Sequence, residues 1–224
     1  MFIAEKFISI IAPHSCLRCG NEGSVLCNWC KPDAITPLPS RCYNCRAITA
    51  DSRVCPKCKR SSKLRHVWVA TEYTGVAKDL IKLFKFERAQ EAAAVIGQAM
   101  ANTLPYLART SLLVPVPTAT TRLRARGYDH TLLLVKEISK HKKVTYQSVL
   151  ARLGQSRQVG SKRLARHTQL AGSFIVKNPL LVKGIDIILV DDIVTSGGTL
   201  EAAAAELKKA GAKSVSAVVF AQKS

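Results

Sequence analysis

Apolar residues recur with two different spacings in the second part of the chain, and the spacing predicts both strands and helices. Residues 65–73 alternate between apolar and polar types and are rich in residues that favour strands. Residues 76–86 carry apolar side chains three or four positions apart, which indicates one face of a helix. Residues 187–190 form a continuous apolar run, typical of a strand that is buried on both faces.

The remaining elements continue this alternation of strands and helices. Further strands are predicted at residues 112–116, 144–153, 174–176, 185–190 and 214–221. Further helices are predicted at residues 89–104, 127–140 and 198–210. Strands that alternate with helices form a mostly parallel sheet with helices on both faces, so the predicted fold class is α/β.

Two segments stand outside this series. Residues 1–13 are predicted to form a short docking helix rather than a signal peptide, because they carry Glu5 and Lys6 and lack a small-residue cleavage site. Residues 155–171 are polar and basic, and their length is typical of a functional loop. No apolar run approaches the roughly 20 residues that a membrane span needs, so we expect no span and a cytoplasmic protein.

All eight cysteines lie in the first part of the chain, as four CxxC pairs. The pairs are Cys16 with Cys19, Cys27 with Cys30, Cys42 with Cys45, and Cys55 with Cys58. A CxxC turn directs two sulfurs at one point, and two such turns complete a tetrahedral zinc site. We therefore predict a double zinc ribbon with two structural Zn²⁺ ions at residues 1–62, followed by an α/β domain at residues 63–224.

The spacing of the pairs leaves open how they share the metal. Consecutive ribbons, which we favour, would group the first pair with the second and the third with the fourth, whereas a cross-braced module would group alternate pairs. A disulfide framework requires an oxidising compartment, and the sequence shows no export signal. A redox role fits four similar knuckles poorly, and an iron–sulfur cluster normally uses one four-cysteine set.

The charge of the chain favours a polyanionic ligand. The formal net charge is +19, and two Zn²⁺ ions bound by eight thiolates would lower it to about +15. Twelve basic residues against two acidic ones occupy positions 122–166. Such a stretch suits a polyphosphate or a nucleic acid, although a solvated surface is the commoner role of any single lysine.

Residues 187–199 combine a buried strand, two acidic residues and a Gly-rich loop that leads into a helix. Open α/β sheets bind ligands at the carboxyl ends of their strands, where Asp191 and Asp192 are predicted to lie. Residues 195–199 offer backbone N–H groups, hydroxyls and a helix N-terminus to a phosphate. Two adjacent carboxylates beside such a site suit the vicinal hydroxyls of a ribose, or a metal bound to it.

At this segment the chain resembles the phosphoribosyltransferases, whose signature agrees with all thirteen residues of 187–199. The whole chain resembles the ComF/GntX family, in which a double zinc ribbon is fused to a type I phosphoribosyltransferase domain. The supporting blocks are residues 73–75, 80–81 and 84–86, then residues 114–117, 122 and 126–128, and finally residues 158, 166 and 172–174. Departures from the family pattern fall on the substrate side, at Lys78, Asp129, His130 and Gln169.

The resemblance implies a site for phosphoribosyl pyrophosphate with Mg²⁺. It implies that Asp191 and Asp192 hold the ribose hydroxyls in a cleft, so that Asp192→Asn would leave thermal stability nearly intact. The implied cradle for the 5′-phosphate consists of Thr195, Ser196, Gly197, Gly198 and Thr199. Pyrophosphate would lie at the loop around residues 117–126, which supplies Arg122 for binding and Arg126 for catalysis. Arg166 would be a second catalytic residue, on a loop that closes over the reacting centre.

Two classes of function fit this interpretation. An enzyme, for example in nucleotide or base salvage, would displace pyrophosphate from C1 while arginines and Mg²⁺ neutralise the leaving group, although no residue is identified as a general base. A binding protein would keep the site as a ligand sensor. For such a protein the resemblance implies a role in single-stranded DNA uptake during natural competence, together with a DNA-translocating ATPase. Any DNA binding should be non-specific, since the sequence contains no groove-reading helix motif.

Overall fold

A parallel sheet forms the centre of the fold in the computed structural model, which describes residues 14–86, 90–118, 128–153 and 173–223. In chain order the strands are β1 Val67–Glu72, β2 Leu112–Pro115, β3 Leu150–Arg152, β4 Phe174–Val176, β5 Asp186–Val194 and β6 Ser214–Gln222. The helices are α1 Lys31–Ala34, α2 Pro56–Lys59, α3 Gly75–Phe86, α4 Gln90–Thr103, α5 His130–Lys142 and α6 Gly198–Lys209. Short 3₁₀ turns lie at Ala50–Ser52 and Pro179–Leu181.

The central sheet has four strands within the described residues, in the order β1–β6–β5–β2, and every neighbouring pair is parallel. Val190 of β5 lies opposite Val218 of β6 and Pro115 of β2, so β5 is hydrogen-bonded on both sides. β3 and β4 form a separate antiparallel pair. The predicted α/β class with a parallel sheet is confirmed.

Helices cover both faces of the sheet, and β5 shows why. Its residues Ile188 and Val190 are buried in a core that includes α3, α4 and α5. Its residues Ile187 and Leu189 are buried in a second core that includes α6. Because successive side chains of a strand point to opposite faces, a strand that is covered on both faces requires the uninterrupted apolar run seen here.

The cysteine-rich module packs against both cores. Val25 and Leu26, near the first two CxxC pairs, are buried together with α3, α4 and α5. Tyr43 and Val54, near the last two pairs, are buried together with α6. The module therefore contributes apolar side chains to both faces of the sheet, while the predicted boundary after residue 62 stays a prediction.

Some predicted elements differ from the structure in their bounds. The helix predicted from residue 127 begins as α5 at His130, because Asp129 caps it with a side chain that accepts a hydrogen bond from the Thr131 N–H at 3.1 Å. The single strand predicted at residues 144–153 is wrong. Tyr146 forms a parallel bridge with Leu113, whereas β3 turns away and pairs antiparallel with β4.

The strand predicted at residues 185–190 is longer in the structure, since β5 pairs with β6 as far as Val194. The acidic pair therefore lies within the strand and not after its end. The predicted helix at residues 1–13 and the predicted loop at residues 155–171 lie outside the described residues. Among the helices of the described ranges, none combines the length and apolar character that a membrane crossing requires.

Gly97 of α4 lies against Glu137 of α5, so we predict that Gly97→Ala destabilises the fold. A Cβ at Gly97 would lie 2.4 Å from Glu137 Cβ, an atom that side-chain rotation cannot move away. In an exposed helix, replacing Gly by Ala would stabilise the helix by about 1 kcal/mol. Overpacking costs roughly 1–3 kcal/mol and should exceed that gain at residue 97. Urea denaturation should therefore give a lower free energy of unfolding.

The exposed neighbour Gln98 provides the control for this measurement. Gln98→Ala, on the same helix, should change the free energy of unfolding by less than about 0.5 kcal/mol. If Gly97→Ala were as stable as the wild type, α4 and α5 would have to separate without cost, and the close approach of the two helices would be unimportant.

Candidate functional site

The sulfur atoms of the cysteines form two four-membered clusters in the described part of the chain. One cluster consists of Cys16, Cys19, Cys27 and Cys30, and the other of Cys42, Cys45, Cys55 and Cys58. Within each cluster the sulfurs lie within 4.8 Å of one another. The pairs are thus grouped consecutively, as we favoured, and not in the cross-braced order.

The sulfur geometry fits tetrahedral zinc. With Zn–S bonds of about 2.3 Å, a tetrahedral ion holds its sulfurs about 3.8 Å apart. The sulfurs of Cys19 and Cys27 are 3.8 Å apart, and those of Cys45 and Cys55 are 3.5 Å apart. A disulfide would need a separation of about 2.05 Å, so the structure supports the metal-binding alternative.

The local backbone favours the thiolate form at one cysteine of each cluster, whereas burial and the neighbouring thiols raise the pKa of Cys30 and of Cys58 to about 12. Burial raises the pKa of Cys16, but backbone N–H groups, chiefly those of Cys19 and Cys27, outweigh it and lower the pKa to about 6. The pKa of Cys42 falls to about 7 for the same reason, with the N–H groups of Cys45 and Cys55 as the main contributors after burial. Each cluster therefore fits Zn²⁺ in donor type, number and spacing.

The acidic pair on β5 is divided between two environments. Asp192 is 5% exposed and forms an ion pair with Lys85, near the end of α3. His130, the first residue of α5, places its Nε2 atom 3.6 Å from the Asp192 carboxylate. Asp191 is only partly buried, and its Oδ1 atom accepts a hydrogen bond of 2.9 Å from the Asp192 N–H.

The two carboxyl groups consequently shift in opposite directions. Burial would raise the pKa of Asp192, but the positive charge of Lys85, followed by the charge of His130 when protonated, holds that pKa below its usual range. Burial and then the charge of Asp192 raise the pKa of Asp191 well above its usual value. The arrangement therefore keeps one permanent carboxylate inside the protein and a second acidic group beside it.

Sequence reasoning missed the partners of this pair. Lys85 and His130 lie far from Asp192 in the chain and meet it only because α3 and α5 pack on the same face of the sheet. The one sequence signal that could have pointed to this contact is that His130 departs from the family pattern. The expectation that Asp192 faces a cleft is wrong, because its carboxylate is buried and paired.

The loop between β5 and α6 has the features that a phosphate site requires. Thr195 and Ser196 are exposed at the end of β5. Gly197 adopts a left-handed conformation with φ of 75°, and α6 begins at Gly198. The first N–H groups of a helix have no acceptor within that helix, so this turn presents backbone donors and a positive helix end beside two hydroxyls.

The second cysteine cluster lies directly behind this loop. The ring of Tyr43, between Cys42 and Cys45, covers Gly197, and a Cβ added at Gly197 would come within 2.3 Å of it. The Tyr43 hydroxyl donates a hydrogen bond of 2.6 Å to Glu201 in the first turn of α6. Burial and the Glu201 carboxylate raise the pKa of Tyr43, so the hydroxyl keeps the proton that it donates.

Other predicted site residues lie outside the described part of the chain. These are Arg122, Arg126 and Arg166. Lys142 belongs to the basic stretch at residues 122–166, and its side chain is engaged in hydrogen bonds within the protein. Its Nζ atom donates hydrogen bonds of 2.6 Å and 3.3 Å to the carbonyl oxygens of Leu104 and Pro105.

Comparison with known proteins identifies one matching family. The family model of the phosphoribosyl transferase domain matches residues 93–224, more than half of the chain. No curated protein matches the sequence.

Among the solved structures to which the chain is similar are the following two. One is the glutamine phosphoribosylpyrophosphate (PRPP) amidotransferase from B. subtilis complexed with ADP and GMP, with 17% identity, a TM-score of 0.42, and coverage of 58% of this chain and 26% of that one. The other is described as the allosteric regulatory enzyme of purine biosynthesis, with the same identity and TM-score and coverage of 58% and 25%. The chain thus spans about a quarter of the length of either solved chain.

We predict that metal analysis of the purified protein returns two zinc ions per chain. Cys16→Ser should remove one ion and Cys58→Ser the other, because a site with three sulfurs loses much of its affinity. Elemental mass spectrometry measures the ratio directly. Asn28→Ser, within a CxxC pair but without a ligand atom in the cluster, should retain both ions. Iron in the wild type, or one zinc per chain, would contradict the prediction.

Proposed function

Since the chain belongs to the phosphoribosyl transferase domain family, we propose that it binds phosphoribosyl pyrophosphate with Mg²⁺ at the carboxyl edge of its sheet. The observation that carries the proposal is the continuity of β5, the turn and α6. One short segment supplies an acidic group and a helix N-terminus preceded by two hydroxyls. This combination suits a ribose that carries a 5′-phosphate.

The turn is proposed to hold the 5′-phosphate. Thr195, Ser196 and Thr199 would contribute hydroxyl groups, and Gly197 and Gly198 would contribute backbone N–H groups without steric hindrance. The start of α6 adds the favourable end of the helix dipole. Because all these groups belong to the backbone or to short side chains, the turn would recognise the phosphate group rather than any base.

Asp191 is the better candidate for the ribose hydroxyls. It is partly exposed, whereas Asp192 is already engaged by Lys85 and His130. We propose that Asp192 keeps Lys85 in place at the floor of the site and that Asp191 contacts the sugar.

A magnesium ion fits the same edge of the sheet. Mg²⁺ is usually held by one or two carboxylates together with substrate phosphates, and Asp191 offers such an oxygen beside Asp192. When bound, the ion would neutralise charge on the pyrophosphate. The residues present therefore suit Mg²⁺ as part of the ligand rather than as a permanently held ion.

Two activities are compatible with this ligand. Arg122, Arg126 and Arg166 are proposed to neutralise the leaving pyrophosphate in an active transferase, and these roles follow from the family resemblance. Alternatively, the site is a sensor in a protein of single-stranded DNA uptake, and the resemblance to the ComF/GntX family together with the net charge of +19 supports this alternative. A pyrophosphate-release assay with a panel of nucleobases separates the two.

The uptake alternative includes partners and a location. Single-stranded DNA would be bound without sequence preference, and a DNA-translocating ATPase would be the protein partner. We propose a cytoplasmic location, because two zinc sites built from thiolates require a reducing compartment.

We predict that Asp191→Asn weakens the binding of phosphoribosyl pyrophosphate with Mg²⁺ by about tenfold or more, the loss expected for a hydrogen bond to a charged group. Titration calorimetry measures the affinity. The free energy of unfolding should change by less than about 1 kcal/mol, because Asp191 is partly exposed. A wild type that shows no binding would end the proposal.

Asp192→Asn should behave differently from Asp191→Asn. Removing the Asp192 charge leaves Lys85, whose side chain is 16% exposed, without its counter-charge, which costs roughly 3 kcal/mol of folding free energy. The double variant Asp192→Asn with Lys85→Met should recover part of this loss, since neither charge then remains. Urea denaturation of the three proteins tests the pairing, and equal stability of Asp192→Asn and the wild type would refute it.

We also predict that single-stranded DNA binds with an affinity that falls steeply with salt, with a slope of about −0.7 in log K against log salt for each phosphate contacted. Because the Lys142 side chain is already hydrogen-bonded within the protein, the exposed Lys136 and Lys143 are the better positions at which to test DNA binding. The double variant Lys136→Gln with Lys143→Asn should flatten the slope, Asn being chosen because residue 143 is left-handed.

A matched control removes two exposed charges elsewhere, by Lys177→Gln with Lys183→Gln before β5. Fluorescence anisotropy with a labelled oligothymidine should show a flatter slope for the first pair than for the control pair. Equal slopes would mean that α5 carries no DNA contact, and absence of binding at low salt would remove the DNA role.

A further inference from the structure

The second cysteine cluster and the phosphate turn share a contact through Tyr43. The Tyr43 side chain is 5% exposed and lies between two cysteines of the cluster in the sequence Cys42-Tyr43-Asn44-Cys45. Its ring covers Gly197 so closely that a Cβ there would lie 2.3 Å from the ring atom Cε2. The position of this ring is therefore set by the knuckle that carries the metal ligands.

The contact continues into the first turn of α6. Glu201 accepts hydrogen bonds from the Tyr43 hydroxyl at 2.6 Å, from the Lys63 backbone N–H at 2.8 Å, and from the Ser62 hydroxyl. The Glu201 N–H in turn donates to the Gly197 carbonyl oxygen at 2.9 Å. Both carboxylate oxygens of Glu201 are thus occupied by the cysteine-rich module and the segment that follows it.

The knuckle is also fixed to β6, the strand that pairs with β5 next to the turn. Gln222 of β6 is 4% exposed and donates a hydrogen bond of 2.8 Å from its side chain to the Tyr43 carbonyl oxygen. Gln222 lies opposite Val194, the last residue of β5 before the turn. The knuckle therefore contacts Gln222, the β6 neighbour of the last residue before the turn, and Glu201, which follows the turn in α6.

We propose that Tyr43 is a positioning residue that holds the phosphate turn in its binding conformation, so that the second cysteine cluster, and not the first, controls affinity for a sugar 5′-phosphate. Two consecutive glycines give residues 197 and 198 a large conformational freedom, and fixing them before binding reduces the entropy lost on binding. The part of this inference that concerns affinity rests on the proposed function, whereas the part that concerns the turn does not.

The first cluster provides an internal comparison. Leu17 occupies the position in the Cys16-Leu17-Arg18-Cys19 knuckle that Tyr43 occupies in the second. Leu17 is 37% exposed, and its N–H donates to Val25 within the same ribbon. The first ribbon packs with α3, α4 and α5, on the opposite face of the sheet from α6.

The test uses the full chain loaded with zinc and four variants. Tyr43→Phe keeps the ring on Gly197 and removes the hydrogen bond to Glu201, whereas Tyr43→Ala removes both. Glu201→Gln retains the shape of the carboxylate but not its charge. Leu17→Ala is the matched control in the other knuckle. Zinc content confirms that every variant used in the comparison retains two ions.

Two probes separate the phosphate turn from the rest of the site. Calorimetry with ribose 5-phosphate should show weakening of about threefold to tenfold for Tyr43→Phe and more for Tyr43→Ala, by analogy with the loss of a hydrogen bond to a charged group. Leu17→Ala should bind as the wild type does. Magnesium pyrophosphate, which the family resemblance assigns to the loop around residues 117–126 and not to this turn, should bind all variants equally.

Hydrogen exchange without ligand gives the second readout. The amides of residues 197–199 should exchange faster in Tyr43→Ala than in the wild type or in Leu17→Ala, and Tyr43→Phe should lie between them. Unchanged exchange in the zinc-loaded Tyr43 variants would overturn the positioning role. If the wild type binds no ribose 5-phosphate but the exchange differs as expected, the proposed function fails while the positioning role stands.

Discussion

The parallel pairing of β5 with both β2 and β6 is the constraint on which the remaining structure depends. Because residues 187–190 of β5 are bonded on both sides and covered on both faces, their side chains must enter one core or the other. The apolar residues of the strand are buried without cost. Asp192 follows Ile188 and Val190 on the same face, so its carboxylate is buried too. An isolated buried charge costs several kcal/mol, so the core on that face has to supply a counter-charge.

Lys85 supplies that charge and His130 adds to it when protonated, both from elements whose positions the sheet determines. α3 ends beside the strand, and α5 begins there, with His130 in edge contact with Phe84 at 5.9 Å between ring centres. The Thr118 hydroxyl lies 3.2 Å from His130 Nδ1. A single carboxylate on β5 thus ties together α3, α5 and, through His130, the segment that follows β2, while Asp191, one residue earlier, is only partly buried.

Local sequence patterns predicted those features of the structure that depend on neighbouring residues only. The strand, turn and helix around Gly197 and the four CxxC pairs follow from runs and spacings within a few residues, and the structure contains them. The sequence did not reveal that β5 extends to Val194, because extension depends on pairing with β6. Nor did it reveal the Asp192–Lys85 pair or the contact of Tyr43 with Gly197, each of which joins distant segments. The division of residues 144–153 has the same origin, because Tyr146 pairs with Leu113 whereas residues 150–152 pair with β4.

The position of β6 has a consequence for how the chain is made. β6 is the last of the described strands, yet it lies between β1 and β5. During synthesis from the N-terminus, β1 therefore has no strand partner among the described strands until residues 214–222 have left the ribosome. The cysteine clusters need only residues 16–58 and can capture metal long before that point. The cysteine-rich module can thus form its two clusters first, whereas the four-stranded sheet and the proposed phosphate turn beside it wait for β6.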